Sequence, residues 1–249
     1  MPGRSVAFQP PKTVVSPLVE VSIAEMAARV HRTQAEHGPL LQAYHKVWYE
    51  SEHTWVYNNF LGVGVMKSPN DLWMYQTLMN DWRPRTVIET GTYQGGSALW
   101  FAFCMEALGI DGRVWTVDAE DHRKCSHPRI TFLEADSTDP KLVEALKAEI
   151  QHPLLISLDS DHSAEHVRKE LDLFAPLCDV YDWLVVEDTN ISWGDVTGGG
   201  DGERGARGGL EDYLRAHEGE FRQDILCERH LLTMHPGGWL QRVAPCPHQ

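Results

Sequence analysis

This sequence has no disulfide framework. Its five cysteines, Cys104, Cys125, Cys178, Cys227 and Cys246, are odd in number and form no C-x-x-C pair. That excludes a small cross-linked secreted scaffold and points to reduced thiols. Basic residues are scarce: 22 Lys and Arg stand against 36 Asp and Glu, for a formal net charge of −14. Nucleic acids and anionic membranes are held by basic contacts, so neither is an expected partner. No apolar run reaches the roughly 18 residues that span a bilayer. The first twenty residues are Pro-rich and lack the apolar centre of a signal peptide. A cytoplasmic protein is expected. The run "GGGDGERGARGG" is not closed by G-K-[ST], so it is no P-loop, and no G-x-G-x-x-G follows a strand.

What is present is a chain of 249 residues, enough for one large α/β domain with embellishments or for two small ones. Nine Trp is a high count and suggests aromatic packing, a partner interface, or both. Residues 22–38 and 39–51 read as two helices of an N-terminal extension. "SPNDLWMYQTLMNDWRP" reads as a further helix, with Asn70 as its N-cap. From there strands and helices alternate. "RTVIETG", "GRVWTVD", "RITFLEAD", "PLLISLD" and "YDWLVVED" read as strands, with helical patterns between most of them. This alternation predicts a parallel sheet covered on both faces. "FRQDILCERH" and "GGWLQRV" read as a closing strand pair.

In such sheets ligands gather at the carboxyl ends of the strands. "VIETGTYQGGS" is a strand, a glycine turn and a helix start. Tyr93 stands where a dinucleotide motif has its second glycine, and so blocks close approach of a pyrophosphate. Glu89 beside the turn repels phosphate and attracts a cation. S-adenosylmethionine carries a sulfonium and an ammonium and no phosphate, so it fits this turn. Glu89, Gly91, Thr92, Tyr93, Gly95 and Ser97 are the candidate donor-site residues around it. Asp118 ends the next strand and can accept both ribose hydroxyls. Asp136, with Ser137, ends the third strand, near where an adenine edge would lie. Each carboxylate also suits a helix cap; three consecutive strand ends with polar acceptors favour a ligand.

"SLDSDHSAEH" and "WLVVEDTN" each leave an apolar run on carboxylates, Asp159 in the first and Glu187 and Asp188 in the second. Burying them is costly unless they are paired or bound. Hard oxygen donors from two neighbouring strand ends suit Mg²⁺; caps and surface ion pairs are the plainer reading. His162 lies three residues past Asp159 and is a candidate base. A rival reading takes His162 and His166, at i,i+4, as ligands of a zinc hydrolase. Ser163, however, stands where H-E-x-x-H has its Glu. The Gly-rich run at 194–209 reads either as a surface loop or as a lid, with Arg204 or Arg207 reaching a substrate phosphate or carboxylate.

"IETGTYQGGSALWFA", "LDSDHSAEHVRKEL", "WLVVEDTN", "KSPNDLWMYQ" and "HPGGWLQRV" resemble the bacterial family of rhamnosyl O-methyltransferases and cephalosporin hydroxylase-type proteins. The likeness covers roughly residues 55–243. Related macrolide-sugar O-methyltransferases place a metal-binding Asp, a base three residues on, and an acidic pair about 28 residues after the Asp. Asp159, His162, Glu187 and Asp188 match that spacing. The resemblance implies a class I methyltransferase fold, an α/β architecture with a mostly parallel seven-stranded sheet and helices on both faces. It also implies S-adenosylmethionine as methyl donor, Mg²⁺, and a homo-oligomer. The implied acceptor is a deoxysugar such as rhamnose, nucleotide-linked or on a natural product, in a pathway such as antibiotic biosynthesis. A non-catalytic protein that binds the donor for a partner is the other alternative. Residues 1–66 are expected to form an arm and helical extension, and 67–249 the donor-binding domain. The first 50 residues match least and are expected to shape acceptor choice.

Overall fold

The computed structural model describes residues 13–15, 20–51, 53–191 and 204–246. Seven strands form the main sheet: β1 (Thr86–Thr90), β2 (Arg113–Asp118), β3 (Ile130–Glu134), β4 (Leu154–Leu158), β5 (Trp183–Val186), β6 (Phe221–Gln223) and β7 (Trp239–Arg242). Their order is β6-β7-β5-β4-β1-β2-β3. The five strands from β5 to β3 pair in parallel, while β7 runs antiparallel to both β5 and β6. The chain builds outward from β1 through β2 to β3, then returns to β4 on the other side of β1. The crevice at that reversal is where an open sheet takes its ligand.

β1, β4 and β5 are buried along their whole length. β4 and β5 read as nearly continuous apolar runs because helices cover both faces. Successive residues serve opposite sides. Ile88, Ile156 and Leu184 join a core with α4 (Pro140–Lys147), α5 (Ala164–Phe174) and α6 (Gly205–Ala216). Val87, Leu155 and Val185 join another with α2 (Pro69–Trp82) and α3 (Gly96–Leu108).

Ser68, not Asn70, caps α2: its hydroxyl accepts from the Asn70 and Asp71 amides, and Pro69 fills the first helical position. The two helices expected in the extension are one, α1 (Ile23–Glu50), with Pro39 inside it. Proline removes one backbone donor, but its fixed φ is helical and good helix formers flank it. Two polar contacts tie α1 to the core. Gln34 donates to Glu228 at 3.1 Å, and Asn190 Nδ2 lies 3.1 Å from His45 Nε2. Burial pulls the His45 imidazole down to about 4, so it is neutral and accepts from Asn190. "FRQDILCERH" is strand only to Gln223, because Asp224 caps a 3₁₀ turn at Ile225–Glu228. Among the described residues no helix is long and apolar enough to cross a membrane.

One ion pair at the far end of β4 gives the fold a pH signature. His152 Nδ1 lies 2.5 Å from Asp182 Oδ2. That hydrogen bond, opposed by partial burial, holds the imidazole above its ordinary value. A raised folded-state value means the pair's stabilisation is complete below the unfolded value of about 6.5 and is lost as pH rises through the folded one. Urea unfolding should therefore show wild type ahead of His152→Ala by more at about pH 5.5 than at about pH 9. A gap that does not change with pH would contradict the pairing.

Candidate active site

A cleft of about 610 Å³ opens over the carboxyl ends of β1, β2, β3 and β4 and the segment after β5. Gly91 and Tyr93 enter it from the turn after β1, Asp118 and Ala119 from β2, and Asp136 and Ser137 from beyond β3. Gly91 has φ +81°, and a Cβ there would lie 1.8 Å from the Asp159 carbonyl oxygen, so only glycine lets the β1 and β4 ends meet. Gly96 lets the start of α3 pack on the hairpin of Asn59–Phe60 and Val63–Gly64, since a Cβ would lie 2.1 Å from the Gly64 carbonyl oxygen.

Asp118 accepts from the Tyr93 amide at 2.8 Å, which fixes the turn over the end of β2. A carboxylate has about four acceptor sites, so it keeps capacity for a ligand. Asp136 accepts from the Thr138 hydroxyl and amide, and these hold its carboxyl below the ordinary range. Ser137 lies 3.1 Å from His166 Nε2. The other expected donor-site residues sit beneath the cleft surface. Thr92 and Thr116 exchange a hydrogen bond at 2.6 Å, and Thr116 donates to Glu89 at 2.8 Å. Burial pushes the Glu89 carboxyl up to about 7, against the pull of Lys67. Ser97 is buried in the first turn of α3, and Gly95 caps that helix.

Asp159, His162 and Asp188 come together at the cleft, each with a ligand atom within 4.8 Å of the others. His162 Nε2 lies 3.3 Å from Asp188 Oδ2. Asp188 Oδ1 is buried and has no hydrogen-bond partner among the described residues. Its backbone sits at φ +54°, a left-handed conformation that costs a non-glycine residue of order 1–3 kcal/mol. His235 helps to hold it there, because its Nδ1 accepts from the Asp188 amide at 3.0 Å. A ring nitrogen that accepts carries no proton, so neutral His235 presents Nε2–H, 3.4 Å from Glu187.

Glu187, the third carboxylate expected at the metal, is engaged by other side chains. It is no member of the Asp159–His162–Asp188 group. Its carboxylate is buried against Lys67, the Tyr75 hydroxyl at 2.7 Å and the Ser157 hydroxyl. Alternation explains the split: adjacent residues at a strand end point to opposite sides. Lys67, only 3% exposed, also bonds Asp159 at 2.6 Å. Burial pulls the Lys67 ammonium down, but Asp159, Glu187 and Glu89 outweigh it and hold it above its ordinary value. For Glu187, burial raises the carboxyl, but the Lys67 ammonium and the hydrogen bonds from Lys67 and Ser157 bring it down to about 2. Lys67, Tyr75 and His235 were not singled out in the sequence. The strand-end carboxylates signalled that some cation must sit among them, not which residue supplies it.

His166 does not join His162 as a second metal ligand. It turns to Ser137, Ser160 at 3.0 Å and Glu170 at 3.7 Å, which removes the zinc reading. Arg204 pairs with Asp212 and Arg207 with Glu211, and neither lines this cleft. Most of the expected lid, residues 194–203, lies outside the described residues.

Comparison with known proteins fits this geometry. The model of the family "Rhamnosyl O-methyltransferase/CmcI" matches residues 52–243. The rhamnosyl O-methyltransferase of Mycobacterium tuberculosis is 37% identical over 209 residues, 81% of this chain and 82% of that one. That of Mycobacterium leprae is 35% identical over 214 residues, 82% and 90% of the two chains. A solved structure of CmcI with Mg and SAM matches with a TM-score of 0.62 and 25% identity, covering 76% of this chain and 78% of that one. The chain belongs to the rhamnosyl O-methyltransferase/CmcI family and is an O-methyltransferase built on the class I methyltransferase fold.

Proposed function

We propose that this enzyme moves a methyl group from S-adenosylmethionine to a hydroxyl of a rhamnose-type deoxysugar, with Mg²⁺ held by Asp159 and Asp188. The observation that carries the reading is the Asp159–His162–Asp188 cluster with its buried, unpartnered Asp188 Oδ1. The donor set fits a hard divalent ion. Asp159 and Glu187 share the Lys67 ammonium, and burial beside Glu187 and Asp188 holds the Asp159 carboxyl well above the ordinary range, a crowding that a bound cation would relieve. The rhamnosyl names of the relatives support the sugar. A nucleotide-linked or natural-product acceptor, as in an antibiotic pathway, belongs to the same reading. So does a homo-oligomer, since Leu40, Tyr44 and Val47 leave an exposed apolar stripe on α1.

S-adenosylmethionine supplies an electrophilic methyl on a sulfonium, and Mg²⁺ acidifies hydroxyls bound to it. The chain does the rest. Asp118 offers acceptors for ribose, while Asp136 and Ser137 border the adenine end. His162 Nε2 takes the acceptor proton, and Asp188 Oδ2, 3.3 Å away, stabilises the imidazolium that results. Asp188 Oδ1 is thereby left for the cation. Positioning supplies much of the acceleration.

Metal removal tests this directly. Stripped enzyme should lose turnover and regain it with added Mg²⁺. Asp188→Asn should need at least about tenfold more Mg²⁺ for half-maximal rate, with donor affinity unchanged by calorimetry. An unaltered Mg²⁺ requirement in that variant would place the cation elsewhere.

A further inference from the structure

Two aromatic rings from outside the sheet complete the cleft. Tyr49 lies in the last turn of α1 and Trp55 follows shortly after it. Their rings stack at 5.1 Å with 20° between planes, and both line the cleft that holds Asp159, His162 and Asp188. The Trp55 indole N–H donates to the Tyr49 carbonyl oxygen at 2.9 Å. Its polar edge is therefore satisfied within the chain. Each ring gives one face to the other, which leaves the outer faces for a ligand and little freedom to turn.

The pair is also in register with the reacting groups. The Thr54 hydroxyl donates to the Trp48 carbonyl at 2.5 Å. Asn58 Nδ2 donates to the carbonyls of Thr54 at 3.3 Å and Lys67 at 3.0 Å. Lys67 in turn grips Asp159. One short chain of contacts thus fixes the distance between the aromatic pair and the carboxylate cluster. The cleft so presents carboxylates and an imidazole from the sheet, and flat apolar surface from the extension.

A pyranose has the same asymmetry. Its hydroxyls spread round the ring edge, while its C–H groups make a flat apolar face. A 6-deoxysugar adds a methyl group to that apolar surface. Tyr and Trp suit such ligands because they offer large rigid area at small entropic cost. We infer that Tyr49 and Trp55 form the stacking platform for the acceptor sugar and, with it, the determinant of acceptor class. This rests on the sugar reading given above and adds the residues that would select it.

The test is saturation-transfer difference NMR with methyl α-L-rhamnopyranoside as probe, in the presence of Mg²⁺ and S-adenosylhomocysteine. Wild type should show its strongest transfer at ring C–H protons and the 6-methyl. Trp55→Ala should weaken the probe's Kd by roughly tenfold, and Trp55→Phe should restore most of it. Titration of S-adenosylmethionine should be unchanged in both variants, which shows that the fold survives. Should Trp55→Ala also lose the donor, Trp55→Leu, which keeps apolar bulk without the aromatic face, takes its place. Rhamnoside affinity equal to wild type in the Ala or Leu variant, or transfer spread evenly over the probe, overturns the platform and leaves the methyltransferase reading standing. No probe binding to wild type loaded with Mg²⁺ and S-adenosylhomocysteine overturns the sugar reading itself, and the platform with it.

Discussion

Lys67→Met is expected to destabilise the protein by about 3–5 kcal/mol in urea unfolding near neutral pH. Lys67 is almost wholly buried and bonds two carboxylates, Asp159 and Glu187, the second of them equally buried. Taking away the ammonium leaves negative charge in a medium that cannot solvate it. The cost comes mainly from that stranded charge and much less from the pair's own net worth. A second variant separates the two. Adding Glu187→Gln to Lys67→Met should recover a large part of the loss, because no unpaired carboxylate remains at that position. A single-variant cost under about 1 kcal/mol would mean that the pair is solvated like a surface bridge. Catalysis should suffer as well, since Lys67 fixes Asp159 beside Asp188.

His162→Ala is expected to lower turnover by about 10²–10⁴-fold, the range for a positioned general base. Donor affinity and the Mg²⁺ requirement should stay within about twofold of wild type. The two binding readouts matter because His162 stands within ligand distance of both carboxylates. If Mg²⁺ affinity falls together with turnover, His162 is a ligand and the base lies elsewhere. If turnover is near wild type, His162 has no part in proton removal. His162→Gln offers a sharper comparison: it keeps a polar side chain near Asp188 but cannot take up a proton.

The sheet was legible in the chain because its strands are short apolar runs that end abruptly on charge. "PLLISLD" and "WLVVED" mark both where β4 and β5 stop and where a ligand site begins. Asp159 and Asp188 were found in this way, and the structure brings them together. Spacing along a sequence says nothing about which way a strand-end side chain turns, so it did not show that Glu187 contacts Lys67. Asp188 faces the cleft, while Glu187 faces Lys67. That lysine lies 92 residues from Asp159 and 120 from Glu187, so only tertiary structure could join them. His235 was hidden for the same reason: it reaches the Asp188 amide from 47 residues further on. Tyr49 and Trp55 had no periodic signal of their own, since they sit where a helix ends and an irregular segment begins. The single α1 was missed because Gly38 and Pro39 together read as a break, although a proline's φ is compatible with a helix.

The most direct measurement is mass spectrometry of the product after incubating the enzyme with S-adenosylmethionine and a panel of rhamnosides and nucleotide-linked deoxysugars, with Mg²⁺ present and with it chelated. One added methyl group per acceptor, formed with Mg²⁺ and lost on chelation and in His162→Ala, is the expected result. Donor binding without methyl transfer to any sugar would contradict the assigned reaction and return the chain to the role of a donor-binding partner. Transfer that proceeds unchanged without metal would contradict the role given to Asp159 and Asp188.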